Sequence, residues 1–81
     1  MTGIELHILS PEGTLVQANV ELVSLPGTAS PFTVLPGHAA LVTSLDEGDV
    51  RYVEEGEEKF LHIKEGFAKV EDNYVTVCVE V

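Results

Sequence analysis

The chain has 81 residues, of which 44% are hydrophobic, and this composition predicts one folded domain over residues 1–81 and not a disordered tail. Its 14 Asp and Glu residues against 4 Lys and Arg give a formal net charge of −10, which excludes nucleic-acid binding as an expected function because phosphate backbones are recognised by cations. The single cysteine excludes a disulfide framework, and apolar runs of only a few residues exclude a transmembrane helix and direct membrane insertion.

Hydrophobic and polar residues alternate along most of the chain, which is the period-two pattern of β-strands with one buried face. The predicted strands, in chain order, cover residues 4–9, 15–18, 20–25, 32–35, 40–44, 49–54, 60–64, 67–70 and 74–80. The third strand is predicted to turn Val20, Leu22 and Ser24 to one face. Four apolar residues fall on the polar phase of their strands and are expected to lie on a patch that contacts a partner: Leu9, Val23, Leu25 and Val53.

Turn residues separate the predicted strands. The Pro-Gly pairs at 26–27 and 36–37 suit type II turns, with Pro at the second position and Gly at the third. Residues 11–13 and 72–73 suit tight turns, and residues 54–59 are predicted to form a charged hairpin tip, because Gly56 interrupts any helix there. Short strands with frequent turns predict an all-β fold, either a sandwich or a barrel.

Residues that could carry chemistry are few and scattered. The soft metal ligands are His7, His38, His62 and Cys78, and none of them lies two or four positions from another, as a strand or helix site requires. We therefore expect no metal and no cofactor, with His7 and His62 facing outward and Cys78 buried as a structural thiol. The serines lack the surroundings of a nucleophile and there is no glycine-rich phosphate loop, so no catalysis is expected.

One stretch, residues 34–43, is apolar on both sides of a Pro-Gly turn and carries a histidine at its tip. Two interpretations stand side by side. In the first, the stretch is a tight turn in which His38 caps exposed backbone groups. In the second, it is an interface loop, because the small side chains of Ala39 and Ala40 allow a partner helix to approach closely.

Residues 35–43 read Leu-Pro-Gly-His-Ala-Ala-Leu-Val-Thr and are followed by Leu45 and Gly48. This block resembles the signature of the epsilon subunit of the rotary F-type ATP synthase. Four flanking blocks resemble the same family in the same order, and they cover residues 10–13, 20–27, 65–70 and 73–77. The resemblance extends over nearly the whole chain and implies a two-sheet β-sandwich of about ten short strands.

The resemblance also implies a function. It predicts a non-catalytic rotor subunit of the central stalk, which links the gamma subunit to the membrane ring of c subunits and couples ion flow to ATP synthesis. The residues implied to face the c-ring are Thr28, Ala29, Ser30 and Pro31. The residues implied to face the gamma subunit are His38, Ala39, Ala40, Leu41 and Thr43. The protein is expected to be monomeric when isolated and to be peripheral, held by the complex on the cytoplasmic face of the bacterial inner membrane.

The chain departs from the family pattern at three places. The loop after Gly27 reads Thr-Ala-Ser-Pro-Phe where the family has a glycine- and acid-containing stretch, and Glu65 replaces one glycine of a Gly-Gly pair. The chain stops at Val81, where the family usually continues into two antiparallel helices that inhibit ATP hydrolysis and, in some members, bind ATP. We therefore expect a coupling subunit that lacks these inhibitory helices.

Two functions of other classes compete with this interpretation. A free-standing β-sandwich that binds a ligand, such as a carbohydrate, or another protein would need exposed aromatic side chains on one face. Most of the 3 Phe and 2 Tyr residues are instead expected in the core. A small enzyme would need a catalytic constellation, and the sequence offers none.

Overall fold

The structure is a computed structural model that describes residues 3–81. Within those residues it contains nine β-strands and no helix, so none of them forms a helix that could cross a membrane. The strands are β1 (Ile4–Ser10), β2 (Gly13–Val20), β3 (Leu22–Leu25), β4 (Phe32–Val34), β5 (Leu41–Leu45), β6 (Gly48–Glu54), β7 (Glu57–Ile63), β8 (Glu65–Glu71) and β9 (Tyr74–Glu80). The all-β prediction is confirmed.

The strands form two sheets that pack face to face as a sandwich. A five-stranded sheet has the order β2-β1-β9-β8-β5, and a four-stranded sheet has the order β4-β3-β6-β7. Neighbouring strands pair antiparallel except β1 and β9, which pair in parallel and bring the two ends of the described chain side by side. The two-sheet sandwich predicted for this sequence is therefore confirmed, with nine strands in residues 3–81.

The core between the sheets is apolar and consists mainly of β-branched residues. Val, Ile and Leu at alternate strand positions point inward, as at Ile4, Leu6 and Ile8 in β1 and at Val75 and Val77 in β9. Among residues 3–81 no polar or charged residue is buried. Burial of apolar surface is therefore the main stabilising contribution, and β-branched side chains fit the pleated surface that supplies it.

The chain crosses from one sheet to the other at Glu21, and this crossing changes the phase of the alternation. Val20 ends β2 and points into the core from the five-stranded sheet, whereas Val23 and Leu25 in β3 point into the same core from the four-stranded sheet. Val23 and Leu25 are only 0% and 2% exposed, so their predicted place on a partner patch is wrong. Leu22 and Ser24 are the half-buried residues of this strand.

The two Pro-Gly pairs behave differently. Gly37 has a φ of 86°, and the His38 backbone N–H donates to the Leu35 carbonyl over 3.1 Å, so the predicted type II turn at 36–37 is confirmed. The predicted type II turn at 26–27 is wrong, because Gly27 has no positive φ and forms an antiparallel bridge with Leu45. Gly27 is needed there for space, since an added Cβ would lie 2.6 Å from the Ser30 carbonyl oxygen.

Three of the five aromatic side chains lie outside the core, so the expectation that most of them would be inside it is wrong. Tyr52 is buried and Phe32 packs against the core, but Phe60, Phe67 and Tyr74 are 59%, 52% and 45% exposed. These three occupy outward-facing positions of β7, β8 and β9, where the pleat turns every second side chain to the surface.

The thiol follows the same rule as the exposed aromatics. Cys78 alternates with the buried Val77 and Val79, so it lies half-buried on the outer face of β9, and its predicted burial is wrong. The predicted outward orientation of the two strand histidines is confirmed, since His62 is exposed and His7 is half-buried against the Tyr74 ring on the outer face.

Candidate partner-binding segments

The first candidate segment is the loop 28–31, between β3 and β4. Its four residues are all exposed. Its base is fixed to the end of β5: the Thr28 backbone N–H donates to the Ser44 carbonyl over 3.0 Å, and the Thr28 hydroxyl donates to Asp46 Oδ1 over 3.2 Å. The Ser44 hydroxyl in turn donates to Thr28 Oγ1 over 2.9 Å. Ala29, Ser30 and Pro31 therefore project from an anchored base.

The second candidate segment, residues 38–43, begins in the turn before β5 and runs into that strand. The turn is fixed from the neighbouring hairpin, because the Gly37 backbone N–H donates to Asn73 Oδ1 over 2.7 Å. His38 Nδ1 lies 2.7 Å from the Ala39 carbonyl oxygen and donates to it, and the His38 and Phe32 ring centroids are 6.4 Å apart. Ala39 and Ala40 are both exposed.

Within β5 the side chains alternate between the core and the outer face. Leu41 and Thr43, which the sequence pointed to, are half-buried and lie in register with the inward-facing Val70 and Ala68. Val42, which the sequence interpretation did not name, is 70% exposed. The alternation of residues 41–45 is sufficient to predict that Val42 is exposed, because Val42 is out of phase with Leu41, Thr43 and Leu45.

The loop 28–31 and the turn that begins the segment 38–43 lie at opposite ends of β5. Leu45, at the end of the strand, bridges to Gly27 beside the loop 28–31. Leu41, at its start, pairs with Val70 next to the Asp72–Asn73 hairpin turn that fixes Gly37. A five-residue strand spans roughly 15 Å. The loop 28–31 and the turn at 36–40 are therefore separated along one edge of the sandwich.

Charged groups cover much of the remaining surface, and three of the basic side chains, Arg51, Lys59 and Lys69, form ion pairs with carboxylates there. Arg51 bonds Glu58 over 2.7 Å and Lys59 bonds Glu54 over 3.0 Å, both at positions that remain open to solvent, where such pairs stabilise little. In residues 3–81, no group of three His, Cys, Asp or Glu side chains is arranged to hold a metal ion.

Comparison with known proteins decides the family. Residues 3–81 match the family described as "ATP synthase, Delta/Epsilon chain, beta-sandwich domain". The chain belongs to this family. It is 39% identical over 78 residues to the ATP synthase epsilon chain of Lawsonia intracellularis, a match covering 96% of this chain and 59% of that protein. It is also 39% identical over 82 residues to the epsilon chain of Campylobacter fetus, covering 99% of this chain and 63% of that protein.

Solved structures carry the same delta/epsilon fold. A chain of the Euglena gracilis mitochondrial ATP synthase, determined with OSCP, F1 and c-ring, superposes with a TM-score of 0.90 at 24% identity over 98% of this chain and 51% of its own length. A chain of the Tetrahymena thermophila mitochondrial ATP synthase central stalk and c-ring superposes with a TM-score of 0.81 at 16% identity, covering 96% of this chain and 63% of its own. This delta/epsilon-type chain thus spans less than two thirds of the length of each of the four proteins named here.

Proposed function

We propose that this delta/epsilon-type sandwich is part of a non-catalytic central-stalk subunit of the F-type ATP synthase, which links the gamma subunit to the c-ring and couples ion flow to ATP synthesis. The observation that carries the proposal is the placement of the exposed loop 28–31 and of the turn that begins the segment 38–43 at opposite ends of β5, within a domain whose relatives are epsilon chains. An element that joins two partners needs two separate contact points, and this edge supplies them.

The proposed function requires a rigid domain and no catalytic residues. A rotor element transmits torque only if its two contact points keep their separation, and a sandwich with a continuous apolar core resists deformation. The hydrogen bonds at Thr28 and at Gly37 join both segments to the sheets. A push on one segment therefore moves the whole domain, and the domain moves the partner at the other segment.

The loop 28–31 is assigned to the c-ring and the segment 38–43 to the gamma subunit. In the second segment, Ala39 and Ala40 are exposed and small, which suits close approach of a helix. The net charge of −10 disfavours direct contact with anionic headgroups. The proposal therefore includes peripheral attachment through the complex, on the cytoplasmic face of a bacterial membrane, and a monomeric state in isolation.

Two matched substitutions test the assignment of the segments. Ala40→Trp places a bulky ring on the segment 38–43, and Ala29→Trp places the same ring on the loop 28–31. Binding of each variant is measured by calorimetry with the gamma subunit and by co-sedimentation with c-ring in detergent. We expect Ala40→Trp to weaken gamma binding at least about tenfold with Ala29→Trp unchanged, and the reverse order for the c-ring.

Equal gamma affinity for wild type, Ala40→Trp and Ala29→Trp would remove the segment 38–43 from the gamma interface. A reversed pattern would exchange the two assignments. Thermal unfolding of both variants serves as the control for folding, since both alanines are exposed and no core contact is changed.

A free-standing ligand-binding or protein-binding module is the second candidate function. The observation in its favour is the exposure of Phe67 and Tyr74 on the outer face of the five-stranded sheet. A wild-type domain that binds neither the gamma subunit nor the c-ring would favour this alternative.

A further inference from the structure

His62 lies at the end of the β6–β7 hairpin that is remote from its tip. The hairpin register places Asp49 of β6 directly opposite His62 of β7. Both side chains point to the outer face of the four-stranded sheet, because their neighbours Val50 and Ile63 point into the core. The imidazole Nδ1 is 2.8 Å from Asp49 Oδ1, and its Nε2 is 3.2 Å from Glu47 Oε2 in the turn that joins β5 to β6. The ring therefore bridges a strand and a turn, and we call these three residues the His62 cluster.

The number of protons on the imidazole decides whether both of its contacts can exist. A protonated ring donates from both nitrogens, so it holds both carboxylates. A neutral ring carries one proton, and the shorter contact, to Asp49, is expected to keep it. The Nε2 lone pair then faces the Glu47 carboxylate, which repels it, so this contact opens. Loss of one proton therefore releases the turn and leaves the contact between the strands intact.

The charged groups around His62 favour the protonated ring. The groups that face the imidazole from the neighbouring elements are Asp49 of β6 and Glu47 of the turn. Both raise the pKa of His62, the hydrogen bond to Asp49 most. The cations nearest along the two strands do not oppose this, because Arg51 bonds a glutamate of β7 and Lys64 lies where the chain crosses to the other sheet.

The turn that carries Glu47 also holds the base of the loop 28–31. The Asp46 backbone N–H donates to the Pro26 carbonyl over 2.9 Å. Asp46 Oδ1 accepts a hydrogen bond from the Thr28 hydroxyl over 3.2 Å. The turn is therefore in contact with the imidazole on one side and with the base of the loop on the other.

Three carboxylates lie close together in and beside this turn, at Asp46, Glu47 and Asp49. Like charges at such short separations repel one another, and the repulsion favours a looser turn. The protonated imidazole offsets it, because it places one positive charge between two of the three carboxylates. With a neutral ring the repulsion is unopposed, and the hydrogen bonds of Asp46 to the loop base are expected to open more often.

We propose that the His62 cluster is a proton-dependent switch for the loop 28–31, in which the protonated imidazole fixes the turn and the loop base and the neutral imidazole releases them. The consequence for the c-ring rests on the function proposed above, which assigns this loop to that partner. A loop that is already ordered loses less conformational entropy on binding, so the protonated form has the higher affinity. A rise in pH therefore weakens the contact that the loop makes.

The Thr28 amide reports on the loop base directly, because its N–H donates to the Ser44 carbonyl. Its hydrogen exchange is measured by NMR at about pH 5.5 and about pH 8.5, between which a histidine titrates while Asp and Glu stay ionised. Each rate is divided by that of an unstructured peptide at the same pH, which removes the intrinsic pH dependence of exchange. Protection of Thr28 is expected to be about two- to fivefold lower at the higher pH, in keeping with ion pairs that remain open to solvent.

Three variants separate the proton on His62 from other titrations. His62→Gln is polar and uncharged at both pH values, and it is expected to lose the pH dependence of protection at Thr28. His7→Gln removes a histidine from the five-stranded sheet and should behave like wild type. Glu47→Gln supplies an amide that donates to a neutral Nε2 and accepts from a protonated one, so protection should stay high at both pH values. A purely structural role of His62 would not produce this rescue.

Co-sedimentation with c-ring in detergent at the same two pH values measures the consequence for binding. Wild type is expected to bind about two- to fivefold more tightly than His62→Gln at the lower pH and equally at the higher pH. Comparison of the two chains at each pH removes any titration of the c-ring itself, since both chains meet the same ring.

The outcomes separate the switch from the function on which its consequence rests. If protection of wild-type Thr28 is the same at both pH values, or if His62→Gln keeps the pH dependence, the switch is rejected. If protection changes as expected but the folded chain binds no c-ring at either pH, the switch stands and the assignment of the loop to the c-ring is rejected. If wild type and His62→Gln bind c-ring equally at the lower pH, the consequence proposed for binding is wrong.

Discussion

The ring of His62 lies between two carboxylates on the surface of the four-stranded sheet. Its Nδ1 is 2.8 Å from Asp49 Oδ1 and its Nε2 is 3.2 Å from Glu47 Oε2, so both ring nitrogens donate only when the imidazole is protonated. These contacts raise the pKa of His62, with the hydrogen bond to Asp49 as the largest cause and the bond to Glu47 next.

A titration of His62 by NMR should therefore give a pKa above the usual value of about 6.5. Asp49→Asn is expected to lower this pKa more than Glu47→Gln. Because the pKa is raised on folding, the stabilisation is fully present below about pH 6.5 and is lost as the pH rises through the raised value. The difference in unfolding free energy between wild type and His62→Gln should follow that course, and a difference independent of pH would contradict it.

Asn73 joins the turn before the segment 38–43 to the β8–β9 hairpin, because its Oδ1 accepts a hydrogen bond from the Gly37 backbone N–H. It also has a φ of 61°, a conformation that Asn, Asp and Gly tolerate. Asn73→Gly keeps the turn and removes the acceptor for the Gly37 N–H, whereas Asn73→Asp keeps both. A hydrogen bond contributes about 1 kcal/mol net, so amide exchange at Gly37 should be about fivefold faster in Asn73→Gly.

Asn73→Asp is the control for that measurement and should exchange like wild type. If the segment 38–43 contacts the gamma subunit, the glycine variant should also bind it more weakly, because the segment must be ordered again on binding. Unchanged exchange at Gly37 in Asn73→Gly would mean that other contacts fix the turn.

At the scale of elements, the structure and the sequence prediction differ on which β3 side chains face the core, and two substitutions test this. Leu25 is buried in the core and Leu22 is half-buried on the other face of the same strand. Leu25→Ala is expected to lower the unfolding free energy by about 2–5 kcal/mol, the usual range for deletion of a buried leucine side chain. Leu22→Ala, the matched control, should lower it less. Urea denaturation measures both effects. Equal effects would contradict the observed orientation, in which Leu25 faces the core and Leu22 does not.

The strands themselves were predictable because alternation is a local property of the sequence. Every strand of residues 3–81 overlaps one predicted from its pattern, including the short β4. The phase of β3 was not predictable, because Val20 and Val23 reach one core from two sheets and the change of sheet at Glu21 is a long-range feature. The prediction of a turn at 26–27 was wrong for the same reason, because a long-range pairing of Gly27 with Leu45 replaces the local turn.

At the scale of the whole molecule, the sequence led to the two candidate segments but not to the groove lined by Leu9, Phe67 and Cys78 on the outer face of the five-stranded sheet. Residues 28–31 and 38–43 were found through a family resemblance, and their positions at opposite ends of β5 required the fold. The groove depends on the parallel pairing of β1 with β9, which places Leu9 beside Cys78 from the other end of the chain. No local pattern of the sequence specifies that pairing.

The central claim is that this domain joins the gamma subunit as part of a rotor, and one titration tests it most directly. The gamma subunit from the same source is titrated into the wild-type chain in a calorimeter at two salt concentrations. The account predicts tight 1:1 binding that weakens at the higher salt, because a surface with a net charge of −10 contributes to association. Absence of binding at high micromolar concentrations, with both proteins folded, would contradict it.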